Sequence, residues 1–305
     1  MPQFTLLDGG MGRELKASGA PFSRPYWSAQ ALMEAPETVV QAHQRFIDAG
    51  AEIITVNSYA CVPFHLGESL YQEQGAALTR LAGELARQAA DNTTAQIQVA
   101  GSLPPPMGSY RPDLFDAEKA VAIYQMLLDE QTPFADLWIA ETIASLEELN
   151  AVIPVVRQSS KPCFYAFTLS DDNSSEPVLR SGQSIQSAVA IAVAAGAAGI
   201  LFNCSVPEVM SKALHLASEA LAQEGSTVPL GVYANNFDPI GLEHQANAQD
   251  IGIRELTPRQ YQQYADTWYQ QGARIIGGCC GIGPAHIDAL RQWKDTGTTN
   301  EGQKD

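Results

Sequence analysis

The chain has 305 residues, 45% of them apolar, and a formal net charge of −16. That length and apolar fraction suit one large domain with a substantial core. So acidic a surface argues against nucleic acid and anionic membranes as partners, because it repels phosphate.

In chain order, residues 4–7 form an apolar run closed by Asp8, Gly9 and Gly10, which predicts a short buried strand and a tight turn. After a loop, Pro36 opens a helix that Gly50 stops. Residues 52–56 predict a β-branched strand running into Asn57, Ser58 and Tyr59. A helix is expected at 74–92, then a strand at 97–100 leading into Gly101 and a stiff loop with Pro104, Pro105 and Pro106. The alternation continues with a helix at 117–131, a strand at 137–140 with Glu141 at its end, a helix at 145–159 and a strand at 162–168. A helix at 185–195 precedes a strand at 199–202 that ends at Asn203 and Cys204. Helix 207–223, strand 229–233, helix 257–270, strand 274–276 and helix 284–294 complete the series. The apolar stretch 188–202 is broken by glycines and reads as helix plus strand, not as a membrane span.

Eight strand–helix alternations predict an α/β fold, a (β/α)8 TIM barrel over residues 1–294, with 295–305 a polar, disordered tail. A doubly wound sheet is the competing reading, and it needs fewer strands or a second domain. Polar or reactive residues recur just past the strands, at Asp8, Asn57, Glu141, Cys204, Asn235 and Cys279. In a barrel those positions converge on one face, where active sites lie.

Five cysteines are too few for a disulfide scaffold, and the N-terminus has neither the basic flank nor the apolar run of a signal peptide. A cytoplasmic, reducing setting is the simplest expectation. Cys204, Cys279 and Cys280 contain no CxxC pair and so make no zinc-finger pattern. From the ends of the sixth and eighth strands they could reach one ion as three thiolates, leaving one tetrahedral position open. Residue chemistry alone also allows buried packing or a redox pair. Cys61 and Cys163 read as packing residues. His43, His215 and His286 fall on helices and read as structural or exposed, while His65 and His244 in loops could line a pocket.

Together these motifs resemble the homocysteine S-methyltransferases, a family related to the betaine–homocysteine methyltransferases and to the homocysteine module of cobalamin-dependent methionine synthase. Asp8-Gly9-Gly10-Met11-Gly12 is similar to the family's N-terminal signature. Asn203-Cys204 and Gly277-Gly278-Cys279-Cys280-Gly281 are similar to its two metal-ligand motifs, and Glu141-Thr142 to its acidic substrate position. The resemblance spans residues 4–293. It implies the barrel, one Zn²⁺ held by Cys204, Cys279 and Cys280, and transfer of an activated methyl group to the thiolate of L-homocysteine, giving L-methionine. It further implies that Asp8 and Glu141 receive the acceptor's ammonium group, that Asn203 orients the substrate or the neighbouring ligand, and that backbone groups at Gly9 and Gly10 help hold the carboxylate.

The resemblance favours a sulfonium donor, S-methylmethionine or S-adenosylmethionine. Tyr59 is the leading aromatic wall residue, with Trp27, Phe64, Tyr110, Tyr233 and Phe237 as further ones. Some positions depart from the family pattern. Thr142 stands where betaine-type members have tyrosine, and Tyr233-Ala234-Asn235 differs from the Tyr-Pro-Asn of the S-methylmethionine enzymes. The chain also ends soon after Trp293, without the oligomerisation extension of the betaine branch, which favours a monomer or loose homodimer. Competing readings are a betaine-like or methylfolate donor, another thiol or selenol amino acid as acceptor, and a zinc- or thiol-binding protein without catalysis.

Overall fold

The computed structural model describes residues 1–241 and 251–297. Its eight strands are β1 Thr5–Leu6, β2 Ile53–Thr55, β3 Gln98–Leu103, β4 Leu137–Ile143, β5 Cys163–Phe167, β6 Gly199–Asn203, β7 Leu230–Tyr233 and β8 Ala273–Ile276. They form one parallel sheet in the order β1-β8-β7-β6-β5-β4-β3-β2. A parallel bridge between Leu7 and Ile53 joins the two ends. There the Asp8 amide donates to the Ile53 carbonyl at 3.0 Å, and the Glu52 amide to the Leu6 carbonyl at 2.8 Å. The sheet is therefore the (β/α)8 barrel that the alternation predicts.

The helices are α1 Met11–Ala17, α2 Ala29–Glu34, α3 Pro36–Asp48, α4 Pro63–Leu66, α5 Glu68–Asp91, α6 Ala117–Gln131, α7 Leu146–Val156, α8 Ile185–Ala194, α9 Pro207–Gln223, α10 Pro258–Gln270 and α11 Pro284–Thr296. Several begin where the sequence places a cap. Asp116, Ser145, Ser184 and Thr257 each accept a hydrogen bond from a first-turn amide with the side chain. The Glu148 carboxylate also reaches back to the Ala144 amide at 2.6 Å, which fixes the start of α7 just past β4. Five helices, α10 again among them, begin with proline, whose missing amide costs nothing in a first turn.

Apolar side chains fill two concentric layers. Leu7, Ile53, Ile139, Leu201 and Ile275 pack inside the barrel, and a larger layer lies between strands and helices, with Trp138, Tyr165 and Phe202 turned outward into it. No helix of the described residues is long and apolar enough to cross a membrane.

The differences from the sequence reading fall mainly on the C-terminal side of the strands. Helices α1, α2 and α4 occupy stretches that read as loops, because seven, six and four residues are too short to display a period. Helix α5 starts at Glu68, not at 74, since its first turns are polar. Strand β3 continues through Gly101 to Leu103. Gly101 serves packing there, because a Cβ would strike the Trp138 ring of β4. Strand β4 runs past Glu141 to Ile143 with a register shift after Ala140, so Glu141 lies within an irregular strand end and not beyond it. Residues 298–305, most of the expected tail, and His244 lie outside the described residues.

Candidate active site

The turns that follow β1, β7 and β8 are stitched together by their backbones. The Gly278 amide donates to Asp8 O at 2.9 Å, the Cys279 amide to Ala234 O at 2.9 Å, and the Asn236 amide to Cys280 O at 3.1 Å. The Gly10 amide donates to Ile282 O at 2.9 Å. The close approach requires glycine in the first turn: a Cβ on Gly9 would enter the Ile282 carbonyl, and one on Gly10 the Cys279 carbonyl. These glycines bring Asp8 beside the cysteine turn of β8.

Cys204, Cys279 and Cys280 meet above the barrel, with their sulfurs all within 4.8 Å of one another. Four thiolate-type donors around a tetrahedral zinc at about 2.3 Å would stand about 3.8 Å apart, so three sulfurs this close can share one ion. No other His, Cys, Asp or Glu among the described residues joins the group, which leaves a fourth position for another ligand. Cys204 and Cys279 are joined as a disulfide, and Cys280 is free. The sequence reading expects three thiolates. The same proximity explains both states, because sulfurs near enough to share an ion are near enough to couple when oxidised. Burial pushes the Cys280 thiol up to about 11, and the Arg13 guanidinium opposes part of that rise. Such a thiol needs a cation to become a thiolate at neutral pH.

A cavity of about 350 Å³ opens over the cluster. Asp8, Gly9, Gly10, Tyr59 and Glu141 line it together with the three cysteines. Asp8 is 5% exposed and accepts from the Thr55 amide at 2.7 Å and the Thr55 hydroxyl at 3.1 Å. Glu141 is 9% exposed and accepts from the Ser102 hydroxyl at 2.5 Å and the Tyr233 hydroxyl at 3.4 Å. Burial raises both carboxyls to about 7, and for Asp8 the Glu141 charge adds to the rise. Two carboxyls lining one cavity, in surroundings that disfavour their charge, can receive a cation.

Asn203 is fully buried behind this wall and is not among the residues that line the cavity. Its side-chain oxygen accepts from the Thr142 amide at 3.1 Å, and its amide nitrogen donates to the Thr142 hydroxyl at 2.9 Å. The pair ties the residue after Glu141 to the residue before Cys204, across the intervening β5. Both Thr142 (φ 58°) and Cys204 (φ 48°) take the left-handed backbone conformation, which is unfavourable for side chains that branch or carry a Cβ. That strain, on the order of 1–3 kcal/mol at each residue, turns Glu141 and Cys204 toward one centre.

A buried ion pair braces the surrounding loops. Asp171, past β5, accepts from the Val206 amide at 3.0 Å and the Ile240 amide at 2.8 Å, and it faces Arg180 at 3.4 Å. Arg180 donates to Ile240 O at 2.7 Å and lies 4.9 Å from the Tyr110 ring centroid. The sequence gives no signal for this clamp, because an aspartate and an arginine in a polar loop look like solvated charges. Ser102, Thr55 and Ser109, which hold Glu141, Asp8 and the Tyr59 hydroxyl, are also missed for want of any distinguishing pattern.

Of the expected aromatic wall, Trp27, Tyr59, Tyr110, Tyr233 and Phe237 line the cavity, and so does His65. Phe64 does not line it; it packs edge-on against the His65 ring. Ser109 and Tyr110 reach the cavity from the proline loop, and the three prolines are buried behind them. His43 is buried in α3, His215 is exposed on α9, and His286 caps α11 with both ring nitrogens on backbone groups.

The family model for homocysteine S-methyltransferase matches residues 5–293. The chain belongs to the homocysteine S-methyltransferase family. A homocysteine S-methyltransferase of Escherichia coli (strain K12) is 30% identical, over 94% of each chain. A selenocysteine methyltransferase of Astragalus bisulcatus is 26% identical, over 93% of this chain and 90% of its own. Solved structures of the Escherichia coli homocysteine methyltransferase MmuM superpose with TM-scores of 0.76 for a metallated form and 0.77 for an oxidized form, each at 28% identity over 95% of this chain and 96% and 95% of theirs. Family membership and the match of the cysteine cluster to a metallated relative make this chain a methyltransferase for homocysteine-like acceptors, with a cluster that can coordinate a metal.

Proposed function

We propose that the chain transfers a methyl group from a sulfonium donor, S-methylmethionine or S-adenosylmethionine, to the thiolate of L-homocysteine, giving L-methionine, with Zn²⁺ on Cys204, Cys279 and Cys280. The observation that carries this reading is the convergence, in one cavity, of a three-sulfur cluster with the two buried carboxyls Asp8 and Glu141. Three soft donors and an open fourth position suit a catalytic zinc better than a hard cation. When bound, the ion keeps the acceptor sulfur deprotonated and nucleophilic at neutral pH.

The residues of the chain do the rest. Asp8 and Glu141 take the acceptor's ammonium group, which supplies the positive charge that their environment lacks and draws both carboxyls to the ionised form. Asn203 and Thr142 hold Glu141 and Cys204 in fixed relation, so the ammonium and thiol of one amino acid are fitted at once. The acceptor sulfur then attacks the donor's methyl carbon; an S–CH₃ bond forms, the bond from that carbon to the donor's sulfonium sulfur breaks, and its electron pair stays on that sulfur. The aromatic rings of Trp27, Tyr59, Tyr110 and Phe237 exclude water and favour the cationic donor.

The test is methyl transfer by the reduced, zinc-loaded protein, with homocysteine and S-methylmethionine, S-adenosylmethionine, betaine or methylfolate in parallel and a chelated control. Chelator-sensitive methionine formation from a sulfonium donor is the expected result. Transfer from betaine or methylfolate alone would replace the donor assignment, and no transfer from any donor would overturn the reading. A selenol acceptor is worth including, since a selenocysteine methyltransferase is among the relatives.

A further inference from the structure

Charge is distributed unevenly over the cavity. The chain carries 34 acidic residues against 18 lysines and arginines. Among the described residues, the carboxylates lining the cavity are Asp8 and Glu141 on its floor, and the remaining charged side chains are Arg13, Lys16 and Arg24. Lys16 and Arg24 are exposed and Arg13 is half-buried, so the cations stand on the mouth side. All three belong to the segment between β1 and α3.

Arg13 is the one placed nearest the chemistry. Its guanidinium carbon lies 5.6 Å from the centroid of Phe237, a residue that packs with Cys204, Cys279 and Cys280. Among the described residues it closes no ion pair or hydrogen bond of its own. Elsewhere in the chain, Arg45, Arg80, Arg87 and Arg254 each pair with a carboxylate. An arginine held over a ring at the edge of a cavity, with no carboxylate partner among the described residues, can receive a ligand's carboxylate or phosphate.

Resting on the function proposed above, we infer that Arg13 binds the carboxylate of the methyl donor and thereby selects zwitterionic donors. The acceptor runs from the sulfur cluster down to Asp8 and Glu141, so the donor must approach its sulfur from the opposite, mouth side. There a sulfonium that lacks an anionic end meets Arg13 and Lys16 and is repelled. A donor whose carboxylate neutralises Arg13 is not. The mouth thus complements a donor with an anionic end, as the floor complements the acceptor's cationic end.

The experiment compares S-methylmethionine with its carboxamide as donors, at saturating homocysteine, for the reduced zinc-loaded protein and for Arg13→Gln and Arg13→Lys. The expected result is about a 30-fold lower kcat/KM for the carboxamide with the unaltered protein. Arg13→Gln should lower kcat/KM for S-methylmethionine about as much, change the carboxamide less than about twofold, and leave the KM for homocysteine and the zinc content unchanged; Arg13→Lys should recover part of the loss. Equal losses for both donors in Arg13→Gln, or a raised KM for homocysteine, would overturn the inference. If neither donor supports transfer, the functional reading fails by itself, and calorimetric binding of the two donors still decides the role of Arg13. Tighter binding of the carboxylate form that disappears in Arg13→Gln supports it, and equal binding refutes it.

Discussion

The floor and the mouth of the cavity are built differently. The floor consists of strand ends: Asp8 past β1, Glu141 in β4, Cys204 past β6 and the Cys279-Cys280 turn past β8. The mouth is largely the segment between β1 and α3, with two short helices and the side chains of Arg13, Phe22, Arg24 and Trp27. Strand ends are locked into the barrel by backbone hydrogen bonds, and Asn203 adds a second tie between two of them. The mouth is held by side-chain packing and by hydrogen bonds mostly within its own segment, such as that from the Trp27 amide to Ser23 O at 2.7 Å. A barrel can therefore keep one acceptor site while its mouth is altered to take different donors.

The largest effect should come from removing a sulfur. Cys204→Ala or Cys280→Ala should abolish stoichiometric metal binding and lower turnover roughly a thousandfold or more, since activation of the nucleophile goes with the ion. Metal analysis beside a transfer assay checks this, and a fully active Cys204→Ala would break the assignment of the floor.

Breaking the clamp is next. Asp171→Asn should destabilise the fold by about 3 kcal/mol, because Arg180 would be left buried without its counter-charge. Denaturant unfolding measures it, and a loss below about 0.5 kcal/mol would mean that Arg180 is satisfied by its backbone and ring contacts alone.

The carboxylates of the floor should trade stability for binding. Glu141→Gln is expected to raise the KM for homocysteine roughly a hundredfold with zinc retained, the cost of one missing charge partner. The same variant should be more stable than the parent above pH 7, by about 1 kcal/mol. Asp8 and Glu141 keep their protons up to about pH 7 when folded, against ordinary values of 3.8 and 4.5. Between those limits the folded state binds more protons, so the stability of the substrate-free protein falls as pH rises from about 4 to about 7. Acceptor binding needs the ionised carboxylates and has the opposite slope: kcat/KM for homocysteine should climb through about pH 7. A flat profile would mean that neither carboxyl meets the ammonium group.

The smallest effect sharpens the boundary between floor and mouth. Tyr59→Phe removes only the hydroxyl that bonds Ser109 at 2.6 Å and leaves the ring in place. It should alter the KM for the donor a few-fold and that for homocysteine hardly at all. A larger change for homocysteine would place Tyr59 with the floor.

The same division governed what the sequence could reveal. Strands buried on both faces read as apolar runs, and the residues closing them are polar or sulfur-bearing, so Asp8, Glu141, Cys204, Cys279 and Cys280 stood out. Convergence of those ends follows from barrel geometry. The left-handed backbone at Thr142 and Cys204 does not follow from residue type, since threonine and cysteine have no preference for it. Asn203 was visible beside Cys204, but its hydrogen bonds to Thr142 depend on two strands separated by a third. Trp27 apart, the mouth was not legible because α1 and α2 are too short for a helical period, and nothing in the sequence singled out Arg13 or Arg24. The proximity of Cys204 and Cys279 was legible from the barrel, but their disulfide was not, since a shared ion and a sulfur–sulfur bond ask for the same neighbours.

The most direct test of the central claim, that floor and cysteine cluster grip the two ends of one amino acid, is X-ray absorption at the zinc edge of the reduced, zinc-loaded protein with and without homocysteine. Three sulfurs and one lighter ligand should become four sulfurs when homocysteine is added, and Glu141→Gln should require far more homocysteine for the same change. A zinc environment that keeps three sulfurs at saturating homocysteine would contradict the account.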